Sequence, residues 1–139
     1  MLKNGYLVKR GENVWKKIDA CVNHQMQGFF PCSGGSNVGQ ISNEIAVELT
    51  KQDIGKMMCT VGIGGRISGL MKSAEGCDSV VAIDGCPLHC SKQTLELAEI
   101  DVSHHIVITD YGVKKDKNLE PDGSVVSGCI EKVKNDLQQ

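Results

Sequence analysis

Four cysteines, Cys32, Cys59, Cys86 and Cys90, each stand where an apolar run breaks into glycine, proline or the start of a helix. Thiolates are soft ligands, and a set of four suits Zn2+, which accepts them as a tetrahedron at about 2.3 Å. If the apolar runs are neighbouring parallel strands, the sulfurs meet at one edge of one sheet, where α/β proteins place their ligand sites. The expected metal ligands are therefore Cys32, Cys59, Cys86 and Cys90, and the expected cofactor is zinc. A complete shell of four leaves no open position for water, which favours a structural, metal-handling or regulatory role over hydrolysis.

The same thiols support other chemistry. Cys32, on a glycine-rich loop, or Cys86, at an expected helix start, could serve as the nucleophile of a redox or sulfur-transfer enzyme. Four thiolates also suit an iron–sulfur cluster. Cys86 and Cys90 are four residues apart around Pro87. A helix beginning near Cys86 would put both sulfurs on one side of its first turn, with the positive helix N-terminus favouring their thiolates.

Other residues are expected to support these ligands. Asp84, at the end of a buried strand, needs partners, either as a group that orients the cysteine loops or as a turn or helix cap. Ser33, Gly34, Gly64 and Gly85 lie in the loops that let the backbone approach the cysteines or bind a small anion. His89 stands between Cys86 and Cys90 and could be a ligand or proton carrier, but next to a cysteine on a helix it is expected to point elsewhere. His104 and His105 read as ordinary strand-entry residues, and His24 has no partner in view. Cys21, Cys77 and Cys129 follow no strand and read as core thiols.

Three motifs fall short of other chemistries. A phosphatase loop needs an arginine six residues after its cysteine, and Val38 stands there instead of one following Cys32. The segment Gly34 to Gln40 has the glycine spacing of a phosphate-binding loop, but Gln40 and Ile41 replace its lysine and hydroxyl residue. Gly62 to Gly69 misses the dinucleotide fingerprint at Ile67.

The elements that must position the cysteines read as strand, loop and helix in repetition. Gln27 to Cys32 is a strand, Ser33 to Gln40 a glycine-rich loop, and Ile41 to Leu49 a helix with Ile41, Ile45 and Leu49 on one face. Lys56 to Ile63 is the next expected strand, and Ile67 to Ala74 a short helix. Ser79 to Ile83 is a continuous apolar run suited to the centre of a sheet covered on both faces. A helix follows Pro87, a fourth strand spans His105 to Thr109, and a closing helix spans Val125 to Leu137 after the turn at Glu120 to Gly123. This alternation predicts a single-domain α/β protein over residues 1–139, a three-layer α/β/α arrangement on a mostly parallel sheet of four or five strands. Residues 1–25, with a helical run from Asn13 to Met26, read as an extension packed on the body. Residues 27–112 are the core, and 113–139 the closing turn and helix.

At 139 residues with 40% hydrophobic side chains, one core is affordable without disulfide staples. Fifteen basic against seventeen acidic residues leave no basic stripe, so nucleic acid is not an expected partner. Lys114 to Lys117 reads as a solvated loop. No apolar stretch is long enough for a membrane span, and the N-terminus lacks a signal peptide's pattern. A cytoplasmic protein with reduced thiols is expected. The residues name no protein partner, oligomeric state or substrate.

Taken together, Cys32–Gln40 (CSGGSNVGQ), Cys59–Arg66 (CTVGIGGR) and Ala82–Cys90 (AIDGCPLHC) resemble the motifs of the DGC-domain family. The family's name stands here as Asp84, Gly85 and Cys86, and the likeness runs from about Phe29 to Gly112. The resemblance implies a small prokaryotic zinc-binding protein whose shared cysteines fall on Cys32, Cys59, Cys86 and Cys90. It implies no reaction. Family members often carry further cysteines near the N-terminus, where this chain has only Cys21.

Overall fold

The computed structural model describes residues 25–139, so the expected N-terminal extension, with Cys21 and His24, lies outside the described residues. Four parallel strands form one sheet in the order β2-β1-β3-β4: β1 is Gln27–Pro31, β2 Lys56–Met57, β3 Ser79–Asp84 and β4 His104–Val107. Among the described residues, five helices surround it: α1 Asn37–Lys51, α2 Thr60–Gly64, α3 Ser68–Glu75, α4 Cys90–Leu97 and α5 Gly123–Leu137. A 3-10 turn, Ile108–Tyr111, follows β4.

The sheet is apolar on both faces, as a parallel sheet between helices must be. Successive strand residues point to opposite faces. Phe29, Val81 and Ile83 join Ile41, Ile45 and Leu49 of α1 and Val126, Ile130 and Val133 of α5 in one core. Phe30, Val80 and Ala82 join Ile63 of α2, Ala74 of α3 and Leu95 of α4 in the other. The layers are α/β/α, as the sequence predicts.

α1 links β1 to β2 over one face, while α4 links β3 to β4 over the other. The chain thus leaves β1 and β3 in opposite directions. Their carboxyl ends form the topological switch point, where a crevice opens in such sheets.

Four expected boundaries are corrected, the first at α1, which starts at Asn37 inside the expected loop because Ser36 caps it there. The strand expected over Lys56 to Ile63 stops at Met57, because Cys59 begins a helix there: its sulfur accepts from the Gly62 N–H at 3.4 Å. The glycines read as loop residues serve that helix, and a Cβ on Gly62 would come within 2.0 Å of Leu70 Cδ1. The helix expected from Cys86 begins at Cys90, after a turn in which His89 takes a left-handed conformation with φ 53°. The strand expected over His105 to Thr109 ends at Val107, where the backbone tightens into the 3-10 turn.

Candidate metal and thiol site

Cys32 follows β1 directly and continues its pairing, its N–H donating to the Ile83 carbonyl at 2.8 Å. The Cys32 sulfur accepts from the Gly85 N–H at 3.1 Å. The end of β1 is thereby tied to the turn after β3. Burial pushes the Cys32 thiol above its ordinary value; the neighbouring Ser42 hydroxyl and the Gly85 N–H oppose this in part, while Asp84 and Cys90 add to it. Ser42 is itself fixed, its hydroxyl donating to the Ile83 carbonyl at 2.5 Å.

Gly85 is demanded by space. A Cβ there would stand 2.7 to 2.8 Å from the backbone of Val38 and Gly39, so only glycine lets the turn after β3 lie against the start of α1. That start is capped by Ser36, whose hydroxyl accepts from the Gly39 N–H at 3.2 Å. Ser33 and Gly34 lie between Cys32 and this cap, and the Gly34 carbonyl accepts from Gln40 Nε2 and from the Ser36 N–H.

Asp84 is 1% exposed and fully engaged. Oδ1 accepts from the Ser91 N–H at 2.7 Å, and Oδ2 from the Lys92 N–H at 3.1 Å. His105 Nε2 lies 2.9 Å from the same Oδ2. The carboxylate therefore caps the first turn of α4 from the end of a neighbouring strand, satisfying amides that the helix cannot. Both readings of Asp84 meet in this geometry, since capping α4 also orients the segment that carries Cys90.

Cys32 and Cys90 line one cavity of about 480 Å³ with Ser33, Thr60, Val61 and Gly64. Cys59 stands close by at the start of α2, and Thr60 next to it donates its hydroxyl to the Pro31 carbonyl at 2.8 Å. Cys86 is turned away, packing against the core beneath α1 and α5, with Lys115 Nζ 3.4 Å from its sulfur. Asn37 holds Lys115 there by donating to the Lys114 carbonyl at 2.9 Å and accepting from the Asp116 N–H at 2.7 Å.

The edge thus carries all four cysteines, but the sulfurs of Cys32, Cys59 and Cys86 face different partners. Among the described residues, no three His, Cys, Asp or Glu side chains are grouped to hold a metal ion. In donor type the set fits zinc: the thiols are free, and N–H groups already address the sulfurs of Cys32 and Cys59. Cys59 and Cys90 are exposed, so their sulfurs are accessible to an incoming ion. Loading would require the Cys86 sulfur to leave the Lys115 ammonium.

Sequence reasoning missed His105. The parallel register sets it beside Ala82 of β3, within reach of Asp84, and a lone histidine in a strand carries no local signal of that neighbour. His89 meets the His105 ring edge-on, with centroids 4.7 Å apart. Cys77 and Cys129 pack against the two cores, as expected of thiols outside the site.

Among the described residues, no helix is long and apolar enough to cross a membrane. A family profile described as DGC domain matches residues 28–133. The chain is also similar to a curated protein of Pseudomonas aeruginosa, the anaerobic and virulence modulator AnvM, with 37% identity over 86 residues. The alignment covers 62% of this chain and 66% of that protein, just under two thirds of its length. No solved structure matches the chain.

Proposed function

The chain belongs to the DGC-domain family, and from that premise we propose that it is a zinc-binding protein whose ion is held by Cys32, Cys59, Cys86 and Cys90. The observation that carries the reading is the strand order β2-β1-β3, which sets three cysteine-bearing strand ends side by side at the switch point. When bound, zinc supplies a crosslink through four thiolates and no open coordination position. The chain's own residues do the rest: Gly85 admits the close approach, its amide and that of Gly62 address the sulfurs, and Asp84 fixes the helix start that carries Cys90.

The role we propose is structural or regulatory metal handling in a reducing, cytoplasmic setting. The name of AnvM describes a modulator, which favours regulation. Zinc in such a site contributes on the order of 10 to 16 kcal/mol of apparent binding energy, so its removal is felt as loss of fold. Melting curves before chelation, after verified demetallation and after zinc return test this. A sharp, reversible drop in Tm is expected, and an unchanged curve would overturn a structural role.

A second reading, thiol redox or sulfur-transfer chemistry, is favoured by the cavity that Cys32 and Cys90 share. Burial disfavours the Cys32 thiolate at neutral pH, which weighs against Cys32 as the nucleophile of that proposal. One cysteine alkylated by iodoacetamide far faster than the others would support it. Uniformly slow alkylation of zinc-loaded protein would count against it.

A further inference from the structure

We propose that His105 is a positioning residue for Cys90, gripping the chain on both sides of that cysteine. The inference rests on the cysteine edge being the site, not on the metal that occupies it. On one side, the Asp84 carboxylate holds the Ser91 and Lys92 amides, and His105 Nε2 lies 2.9 Å from its Oδ2. An ionised carboxylate can only accept, so Nε2 carries the proton and donates. On the other side, the His105 ring meets the ring of His89, the residue just before Cys90, in an edge-on contact.

His89 needs that contact. Its φ of 53° lies in the left-handed region, which is strained for a residue with a Cβ and persists only where surroundings enforce it. Its side chain makes no capping hydrogen bond to α4. The same histidine therefore braces the strained residue before Cys90 and the carboxylate that caps the residues after it. Cys90 itself is exposed and its sulfur lacks a hydrogen-bond partner among the described residues, so its direction is set by its flanks.

Amide hydrogen exchange in the protein as purified, resolved by residue, tests the proposal whether or not zinc is the natural ligand. His105→Phe keeps an aromatic ring against His89 but loses the donor to Asp84; His105→Gln keeps a donor near the place of Nε2 but loses the ring. In the phenylalanine variant the Ser91 and Lys92 amides, which Asp84 holds, should exchange about fivefold faster than in the parent, the change that about 1 kcal/mol of local opening gives. In the glutamine variant those two amides should stay within about twofold of the parent, while the Gln93 amide, which donates to the His89 carbonyl at 2.9 Å, should exchange about fivefold faster. Equal acceleration across the sheet and α4 would mean general loosening and overturn the proposal. So would parental exchange at Ser91 and Lys92 in His105→Phe. Should His105→Phe fail to fold, faster exchange at Gln93 alone in His105→Gln would support the grip through the ring, and parental exchange there would overturn it. None of these readouts depends on zinc being bound, so the two proposals fail separately.

Discussion

The Gly85 amide donates to the Cys32 sulfur at 3.1 Å, joining two sequence motifs that lie 53 residues apart. This one bond spans the switch point, from the end of β1 to the turn after β3. It explains why a glycine stands between Asp84 and Cys86: the amide must face the sulfur while the Cα lies on the backbone of α1.

Gly85→Ala should therefore be disruptive. A methyl group at 2.7 to 2.8 Å from fixed backbone has no flexible neighbour to displace, and overpacking of this kind costs about 1 to 3 kcal/mol or more. Urea unfolding measures it. Gly128→Ala is the control, since a Cβ there meets nothing within 4 Å and an alanine inside α5 should stabilise by roughly 0.5 to 1 kcal/mol.

Asp84→Ala should lower stability by about 3 kcal/mol or more, because two helix amides and the His105 ring lose their buried acceptor together. Asp84→Asn keeps one acceptor oxygen and should fall between that variant and the parent. Equal unfolding midpoints for Asp84→Ala and the parent would contradict the cap.

Stability should decline in alkali. Burial pushes the thiols of Cys77 and Cys129 above 9.0, and Tyr111 is pushed above 10.0 by burial and by Asp136, to which its hydroxyl donates at 2.5 Å. These groups hold their protons more tightly folded than unfolded. Their contribution is complete below the unfolded values and is lost as pH rises through the folded ones. The urea midpoint of the reduced protein as purified should hold steady near neutrality and fall above pH 9, and Tyr111→Phe should flatten the upper part of that fall. A midpoint that rises there would contradict the account.

The strands that carry Cys32 and Cys86 were legible because continuous apolar runs ending in glycine or proline have few other uses. The second strand was overextended because Thr60, Val61 and Ile63 favour a strand locally, while the cap by Cys59 and the fit of Gly62 under Leu70 are tertiary facts. Pro87 suggested a helix start, yet the left-handed His89 delays it to Cys90, which separates the two sulfurs that local spacing would have paired. The partnership of His105 with Asp84 depends on the register of β3 with β4, which nothing in either segment encodes alone.

The central claim is the shared zinc site, and metal content per chain tests it most directly, on protein purified without chelators or an affinity metal. About one zinc per chain is expected, as one set of four thiolates closes one tetrahedral shell. It should be lost or sharply reduced in Cys32→Ser, Cys59→Ser, Cys86→Ser and Cys90→Ser, and retained in Cys77→Ser and Cys129→Ser. Parent protein free of zinc, or full zinc in two or more of the first four variants, would contradict the account.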